Sequence, residues 1–558
     1  MRYPVRKRPS ARVAVLALAA LVLAACTGGN GAQPTGQQEA GTSEQASSSE
    51  SAAQSQGPVT LVWGRGADST SLDPINVTDG ESIKVTNQIF ETLVRYKPGS
   101  TEVEPALATE WSHNADGTEW TFKLRQGVKF HDGTEFNAEA VKFNFDRWRF
   151  TDNPYHKGGE FAYYAYMFGG FDDASVIKEV QVVDPYTVKF ILSRPLAPFL
   201  SNLAMPMFAI ASPEAVKADP ENFGMKPVGT GPFKFVSWQK GDSITLEANP
   251  DYWEGKPQID RLIYRSIPDN NARLLALQAG DIDVMDGVSP QNLAIAEAMG
   301  QFDIHYRPAM NVGYLAMNTE KKPFDNPLVR KAINHAINKE AIIQAFYGSL
   351  GEPAVTPVPP VMWSHNPNVT KYEYNPEKAK ELLAQAGYPN GFQTELWAMP
   401  VPRPYMPQPM DIAVAIVNDL KKVGIDAQIV SYDWPTYLAK TGMGEHTMAL
   451  LGWVGDNGDP DNFLYVLLDK DNAKGPDAGN IAFYKNDELH EILIEAQQNP
   501  DQEARTRLYE RAQEIIANDA PWVPLAHAKA PIIMRKGISG YVPSPTGSEP
   551  LTKVQVSR

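Results

Sequence analysis

The feature that most constrains this chain is a change of pattern near residue 310 that is undone before the C-terminus. From residue 60 to 308 the sequence is mixed and mostly β. Residues 120–125 alternate apolar and polar as a half-buried strand does, and Phe130-His131-Asp132-Gly133 runs a strand into a turn. Segments 178–183 and 187–192 flank Asp184-Pro185, and 233–238 and 243–248 flank Lys240-Gly241-Asp242, so each pair predicts a hairpin. Residues 138–148 carry apolar positions at helical spacing behind Asn137 as N-cap.

After Met310 the pattern becomes α/β. Asn326-Pro327 and Asn375-Pro376 each open an amphipathic helix, since proline in the first turn forfeits no hydrogen bond, and Gly387 stops the second. A strand over 394–398, a helix over 410–423 stopped by Gly424, and a strand over 425–430 make a βαβ unit. A buried strand comes next over 448–453 and a helix over 505–517, and residues 537–558 return to the composition of the first half. Such a chain builds two lobes joined by two crossings, near Pro308 and Pro524, and two crossing strands make a hinge.

Ahead of the lobes, residues 2–12 hold five basic residues and no acid, and residues 13–25 are an apolar run too short to span a bilayer. That is the form of a secretory signal, residues 1–25. Leu23-Ala24-Ala25-Cys26 resembles the lipobox of bacterial lipoproteins, which implies cleavage before Cys26 and acylation of its sulfur. Two acyl chains hold a domain stably at a membrane. Residues 26–57, rich in Ser, Gln, Gly and Ala, predict a flexible tether with a reach on the order of 30 Å. The expected organisation is then lobe I over 58–308, lobe II over 309–526 and a return to lobe I over 527–558. The protein would work on the outer face of the cell membrane as a monomer.

Cys26 is the sole cysteine of 558 residues, which excludes an intrachain disulfide and any multi-thiolate zinc site. A formal charge of -15 argues against nucleic acid as a partner, because the surface repels phosphate before contact. His-Glu-x-x-His, Gly-x-Ser-x-Gly, the Walker loop and Gly-x-Gly-x-x-Gly are all missing, and the nine histidines are dispersed. No catalytic residue, resident metal or cofactor is expected, and a secreted hydrolase is the remote alternative.

Two loops carry candidate chemistry. The stretch from Gly452 to Phe463 places three carboxylates in six residues directly after an apolar strand, the end at which α/β sheets bind ligands. Glycines 452, 455 and 458 would let backbone approach something closely. A solvated turn is the bland alternative, and the spacing does not fit an EF-hand. Trp453 beside Asp456 suits a desolvated ammonium. In the second loop Arg403 stands between Pro402 and Pro404, which stiffen it. A cation and an anion at neighbouring strand ends suit a zwitterion, but the two could equally pair with each other.

Asp73-Pro74, Ala108-Thr109-Glu110-Trp111, the 120–133 stretch, Gly229-Thr230-Gly231-Pro232-Phe233, Met310-Asn311-Val312-Gly313-Tyr314 and the 452–463 loop resemble the extracellular peptide/nickel solute-binding family (family 5) of ABC importers. The resemblance implies an α/β, two-lobe, three-subdomain periplasmic-binding-protein-like fold (type II, cluster C) with a hinge between the lobes. It implies delivery of a peptide ligand, dipeptides foremost, to ABC permease transmembrane subunits. A longer oligopeptide, haem or a metal chelate are the alternative cargoes. It assigns Asp456 to the α-ammonium and Arg403 to the α-carboxylate, with Trp453, Gly455, Asn457, Trp434, Tyr405, Asn311, Thr78 and Gly80 as further ligand-binding candidates. Two departures stand out: a dipeptide binder of the family carries disulfides that this chain lacks, and the aromatic segment 155–171 matches nothing in the resemblance.

Overall fold

A computed structural model describes residues 57–557. The leader, Cys26 and nearly all of the tether lie outside the described residues. Three large sheets organise the chain. A seven-stranded mixed sheet runs in the order Phe302–Arg307, Ala530–Arg535, Val284–Met285, Thr60–Arg65, Arg261–Ser266, Ser243–Ala248, Phe233–Gln239. A four-stranded antiparallel sheet holds Ala108–His113, Glu119–Leu124, Thr187–Leu192 and Ile177–Asp184. A six-stranded sheet runs Gly351–Pro353, Trp522–Ala528, Asn311–Met317, Met448–Val454, Phe392–Trp397, Ile425–Val430.

Local chemistry explains most of these elements. The helix Ala138–Arg149 starts where Asn137 accepts a hydrogen bond from the Ala140 amide, and Pro376–Gln385 starts where Asn375 accepts from the Lys378 amide. Pro409–Lys422 ends two residues before Gly424, whose φ of 89° lies in the left-handed region. It connects Phe392–Trp397 to the parallel strand Ile425–Val430. Tyr314 and Trp522 stack across the six-stranded sheet with ring centroids 3.6 Å apart. Such a pair contributes about 0.5–1.5 kcal/mol beyond its burial.

The chain passes between the seven- and six-stranded sheets twice. The first passage, after Arg307, leads through Pro308 into Asn311–Met317. The second is at Lys529, not Pro524. Pro524 lies inside Trp522–Ala528, beside the irregularity at Gly313/Tyr314, where a residue with no N–H is tolerated. Ala530–Arg535 rejoins the seven-stranded sheet, and Tyr541, Leu551 and Val554 pack into the core beneath it, while Gly537, Gly540 and Gly547 adopt positive φ and turn the C-terminal stretch into loops with two short strands, Ile538–Ser539 and Gln555–Val556. The two passages are tied side by side: the Asn311 side-chain amide donates to the Ala528 carbonyl at 2.7 Å and accepts from its N–H at 3.0 Å. Among the described residues no helix is long and apolar enough to cross a membrane.

Candidate functional site

A cavity enclosing about 940 Å³ of non-protein space, its mouth included, lies where these passages meet the ends of strands Phe392–Trp397 and Met448–Val454. Its wall includes Asp456, Arg403, Trp453, Trp434, Tyr405, Asn311, Thr78 and Gly80. Gly455 and Asn457 are not in that wall. The Gly455 amide donates to the Met310 carbonyl, and the Asn457 side chain donates to Asn202 Oδ1 at 2.9 Å, so both serve the loop itself.

The three carboxylates of the 452–463 loop have different fates. Asp459 pairs with Arg505 at 2.7 Å, and Asp461 accepts from Gln497 at 3.0 and 3.2 Å. Asp456 alone faces the cavity. Its Oδ2 accepts from the Tyr163 hydroxyl at 2.9 Å and from Asn462 Nδ2 at 3.2 Å. Asn462 Oδ1 in turn accepts from both the Asp456 amide and Trp453 Nε1, each at 2.9 Å, locking acid and indole together. Burial pushes the Asp456 carboxyl up to about 7, although the Tyr163 and Asn462 hydrogen bonds pull the other way. Among the described residues no cationic side chain pairs with it.

The glycines make room for protein. A Cβ on Gly452 would stand 2.2 Å from the Tyr405 ring, one on Gly455 2.8 Å from Phe463, and one on Gly458 2.2 Å from Thr101. Gly313, paired to Gly452 across the sheet, is filled from the same side by the Tyr405 carbonyl. Tyr405 is therefore wedged over two glycines. By contrast a Cβ on Gly80 would meet nothing within 4 Å.

Arg403 sits in a tight loop closed by reciprocal backbone bonds with Met406 at 3.1 and 2.9 Å. Its guanidinium carbon lies 4.4 Å from the centroid of the Trp434 ring, a cation–π arrangement. The expectation that left Arg403 free to pair with Asp456 is resolved otherwise, because Nη1 pairs with Glu81 Oε1 at 3.4 Å. Both partners are buried; Arg403 Nη2 has no hydrogen-bonding partner among the described residues, and Glu81 Oε2 has only the Lys84 ammonium, 3.5 Å away.

Glu81, Lys84, Arg307 and Tyr163 are wall residues that sequence reasoning missed. Glu81 and Lys84 lie on the helix Gly80–Ile89, capped by Asp79. Lys84 and Arg307 both pair with Asp286, and Arg307 also pairs with Glu549. Burial disfavours the ionised form of Asp286, but Arg307 and Lys84 more than offset this and hold it well below the usual carboxylate range. That network is neutral by itself. Tyr163 comes from the unmatched segment: Phe161, at a φ of 52°, opens the helix Ala162–Phe168 that delivers the hydroxyl to Asp456. A sequence signal existed in the aromatic density of 155–171, but not its target. A candidate metal-ligand trio, Asp469, Asp471 and His490, lies outside this cavity, and there His490 Nδ1 is engaged by Asp469 at 3.0 Å.

The cavity therefore offers one buried carboxylate awaiting a cation at one place and an incompletely satisfied guanidinium–carboxylate pair at another. Comparisons with known proteins fit a binding cavity. Residues 102–475 match the model of bacterial extracellular solute-binding proteins, family 5. The dipeptide-binding protein of Escherichia coli is 39% identical over 89% of this chain and 94% of its own, and haem-binding protein A of Haemophilus influenzae is 38% identical over 97% and 98%. The periplasmic binding protein DppA of Helicobacter pylori, solved with the peptide STSA, superposes with a TM-score of 0.84 at 40% identity, covering 90% of this chain and 99% of that one. The chain belongs to the bacterial extracellular solute-binding proteins of family 5, with their mixed α/β, two-lobe fold.

Proposed function

We propose that this protein captures short peptides outside the cytoplasmic membrane by their free amino end and delivers them to an ABC permease. The observation that carries this reading is Asp456: a carboxylate buried against Trp453 in a cavity, with no cation among the described residues to neutralise it. A peptide ammonium supplies that cation, and the far end of the peptide reaches the Arg403 loop. Relatives whose names record dipeptide binding, and a structural neighbour holding a tetrapeptide, support the peptide class. Haem, the ligand named for the Haemophilus influenzae relative, would have to draw an iron ligand from Tyr405 or from Tyr163, which already donates to Asp456, since the described cavity wall contains no His, Met or Cys.

Titration calorimetry with a dipeptide and its N-acetylated form tests this reading. The free form should bind and the acetylated form should fail, and equal binding of the two would overturn it. Attachment to the membrane through an acylated Cys26 belongs to the same reading. Cys26→Ser should leave the precursor unprocessed or release the protein from the membrane fraction. A processed variant that still partitions with membranes would remove the lipid anchor from the proposal.

A further inference from the structure

The Arg403–Glu81 pair differs from a closed ion pair in what it leaves open. Nη1 and Oε1 are joined at 3.4 Å, whereas Nη2, a donor, finds no hydrogen-bonding partner among the described residues and Oε2, an acceptor, has only the Lys84 ammonium, 3.5 Å away. Both residues line the cavity, and each is more than nine-tenths buried, with 8% of Arg403 and 7% of Glu81 exposed. A buried donor next to a buried acceptor is the complement of an amide, whose C=O accepts and whose N–H donates. It is not the complement of a carboxylate. A carboxylate would satisfy Nη2 but bring a second negative group against Glu81, which would have to turn fully toward Lys84 Nζ, 3.5 Å from Oε2. The Asp456 end has no such internal substitute, so a ligand lacking a cation leaves that acid uncompensated.

We propose that Arg403 and Glu81 together form an amide-reading subsite. The preferred cargo is then a peptide with a free amino terminus whose backbone continues past the second residue or ends in a neutral amide. A free dipeptide binds at the cost of moving Glu81 off Arg403. This rests on the peptide reading above and adds to it which terminus is obligatory.

Titration calorimetry on the whole protein with Ala-Leu, Ala-Leu amide, Ala-Leu-Ala and N-acetyl-Ala-Leu tests it, in the parent and in Glu81→Gln. In the parent, the amide and the tripeptide should bind within about threefold of the free dipeptide or tighter, and the acetylated form roughly 30-fold or more weaker, a difference of about 2 kcal/mol. Glu81→Gln should tighten the free dipeptide about tenfold, as removal of a like charge at contact distance in a partly solvated cavity does. It should leave the amide nearly unchanged. The proposal is overturned if the parent prefers the free acid to its amide by more than tenfold, or if Glu81→Gln weakens the free dipeptide. Failure of all four probes in both proteins would instead remove the peptide reading itself. Should the variant not fold, the parent's ranking of the four probes decides.

Discussion

The Tyr163 hydroxyl donates to Asp456 Oδ2 at 2.9 Å, joining residues 293 positions apart in the chain. The bond leaves Asp456 without a counter-charge while fixing the direction in which its carboxylate points. Tyr163 and Trp453 also face each other, with ring centroids 6.0 Å apart. The segment that matched nothing in the sequence resemblance thus supplies Tyr163 to the cavity wall, where it meets both Asp456 and Trp453.

Binding should therefore depend on pH through Asp456. Its carboxyl titrates near 7 because burial raises it, and an ammonium is held by the ionised form. Below that value peptide affinity should fall about tenfold per pH unit, since binding must first expel a proton; above about 8 it should fall again as the peptide amine deprotonates. For folding the sign is opposite. The raised group favours the folded state fully below about pH 4, the unfolded value, and loses that contribution as pH rises through 7. Calorimetry in two buffers of different ionisation enthalpy should detect proton release at pH 6. An affinity flat from pH 5 to 7 would show that Asp456 does not meet the ammonium.

Asp456→Asn should keep the shape of the site and remove the charge. We expect free dipeptide to weaken roughly 30-fold or more, the loss typical of one partner of a buried charge pair, about 2–5 kcal/mol. The acetylated peptide should change little, so that discrimination between the two collapses. The variant should also gain stability relative to the parent at pH 8 but not at pH 4, read from thermal midpoints. A uniform loss for both peptides with a lowered midpoint would mean that Asp456 holds the loop rather than the ligand.

The sequence carried the helices and strands well wherever a local signal was complete. Asn375-Pro376 and Gly424 marked helix ends to within two residues, and the strand Ile425–Val430 follows Gly424 as the βαβ reading placed it. It failed where meaning depended on distant partners. Three acids within six residues look alike in sequence. Only the fold gives Asp459 to Arg505 and Asp461 to Gln497, leaving Asp456 to the cavity. Glycines 452, 455 and 458 were legible as positions of close approach, but what approaches them is Tyr405, Phe463 and Thr101. Glu81 is 322 positions from Arg403, and no spacing rule connects them.

Gly452→Ala tests the wedge that positions the Arg403 loop. The added methyl would lie 2.2 Å from the Tyr405 ring, whose backbone carbonyl occupies the space a Cβ on Gly313 would need. Overpacking of this kind costs about 1–3 kcal/mol. The denaturation midpoint should fall at constant m-value, and peptide affinity should fall with it, since Arg403 stands two residues before the displaced ring. Combining Gly452→Ala with Tyr405→Ala should recover part of the stability, because neighbours sharing one space are not additive. Additive losses would place the strain elsewhere.

The last prediction concerns the two passages between sheets. The Asn311 amide meets both the N–H and the C=O of Ala528, and the His527 ring hydrogen-bonds the Asn311 carbonyl at 2.7 Å, so one side chain sets how the passages lie against each other. If these passages are the hinge, peptide should favour a closed arrangement and lower the radius of gyration, because ligand shifts a population only through better contacts in one state. Asn311→Asp keeps the acceptor for the Ala528 N–H but sets a carboxylate oxygen against the Ala528 carbonyl. That leaves a buried acceptor unpaired, at about 1–3 kcal/mol. We expect a lower thermal midpoint and a larger radius without peptide, with the radius at saturating peptide returning to that of the parent. Small-angle scattering of both proteins with and without peptide measures this. Radii unchanged by ligand in the parent would count against the hinge. A variant radius matching the parent in both states would show that Asn311 ties the passages without governing their motion.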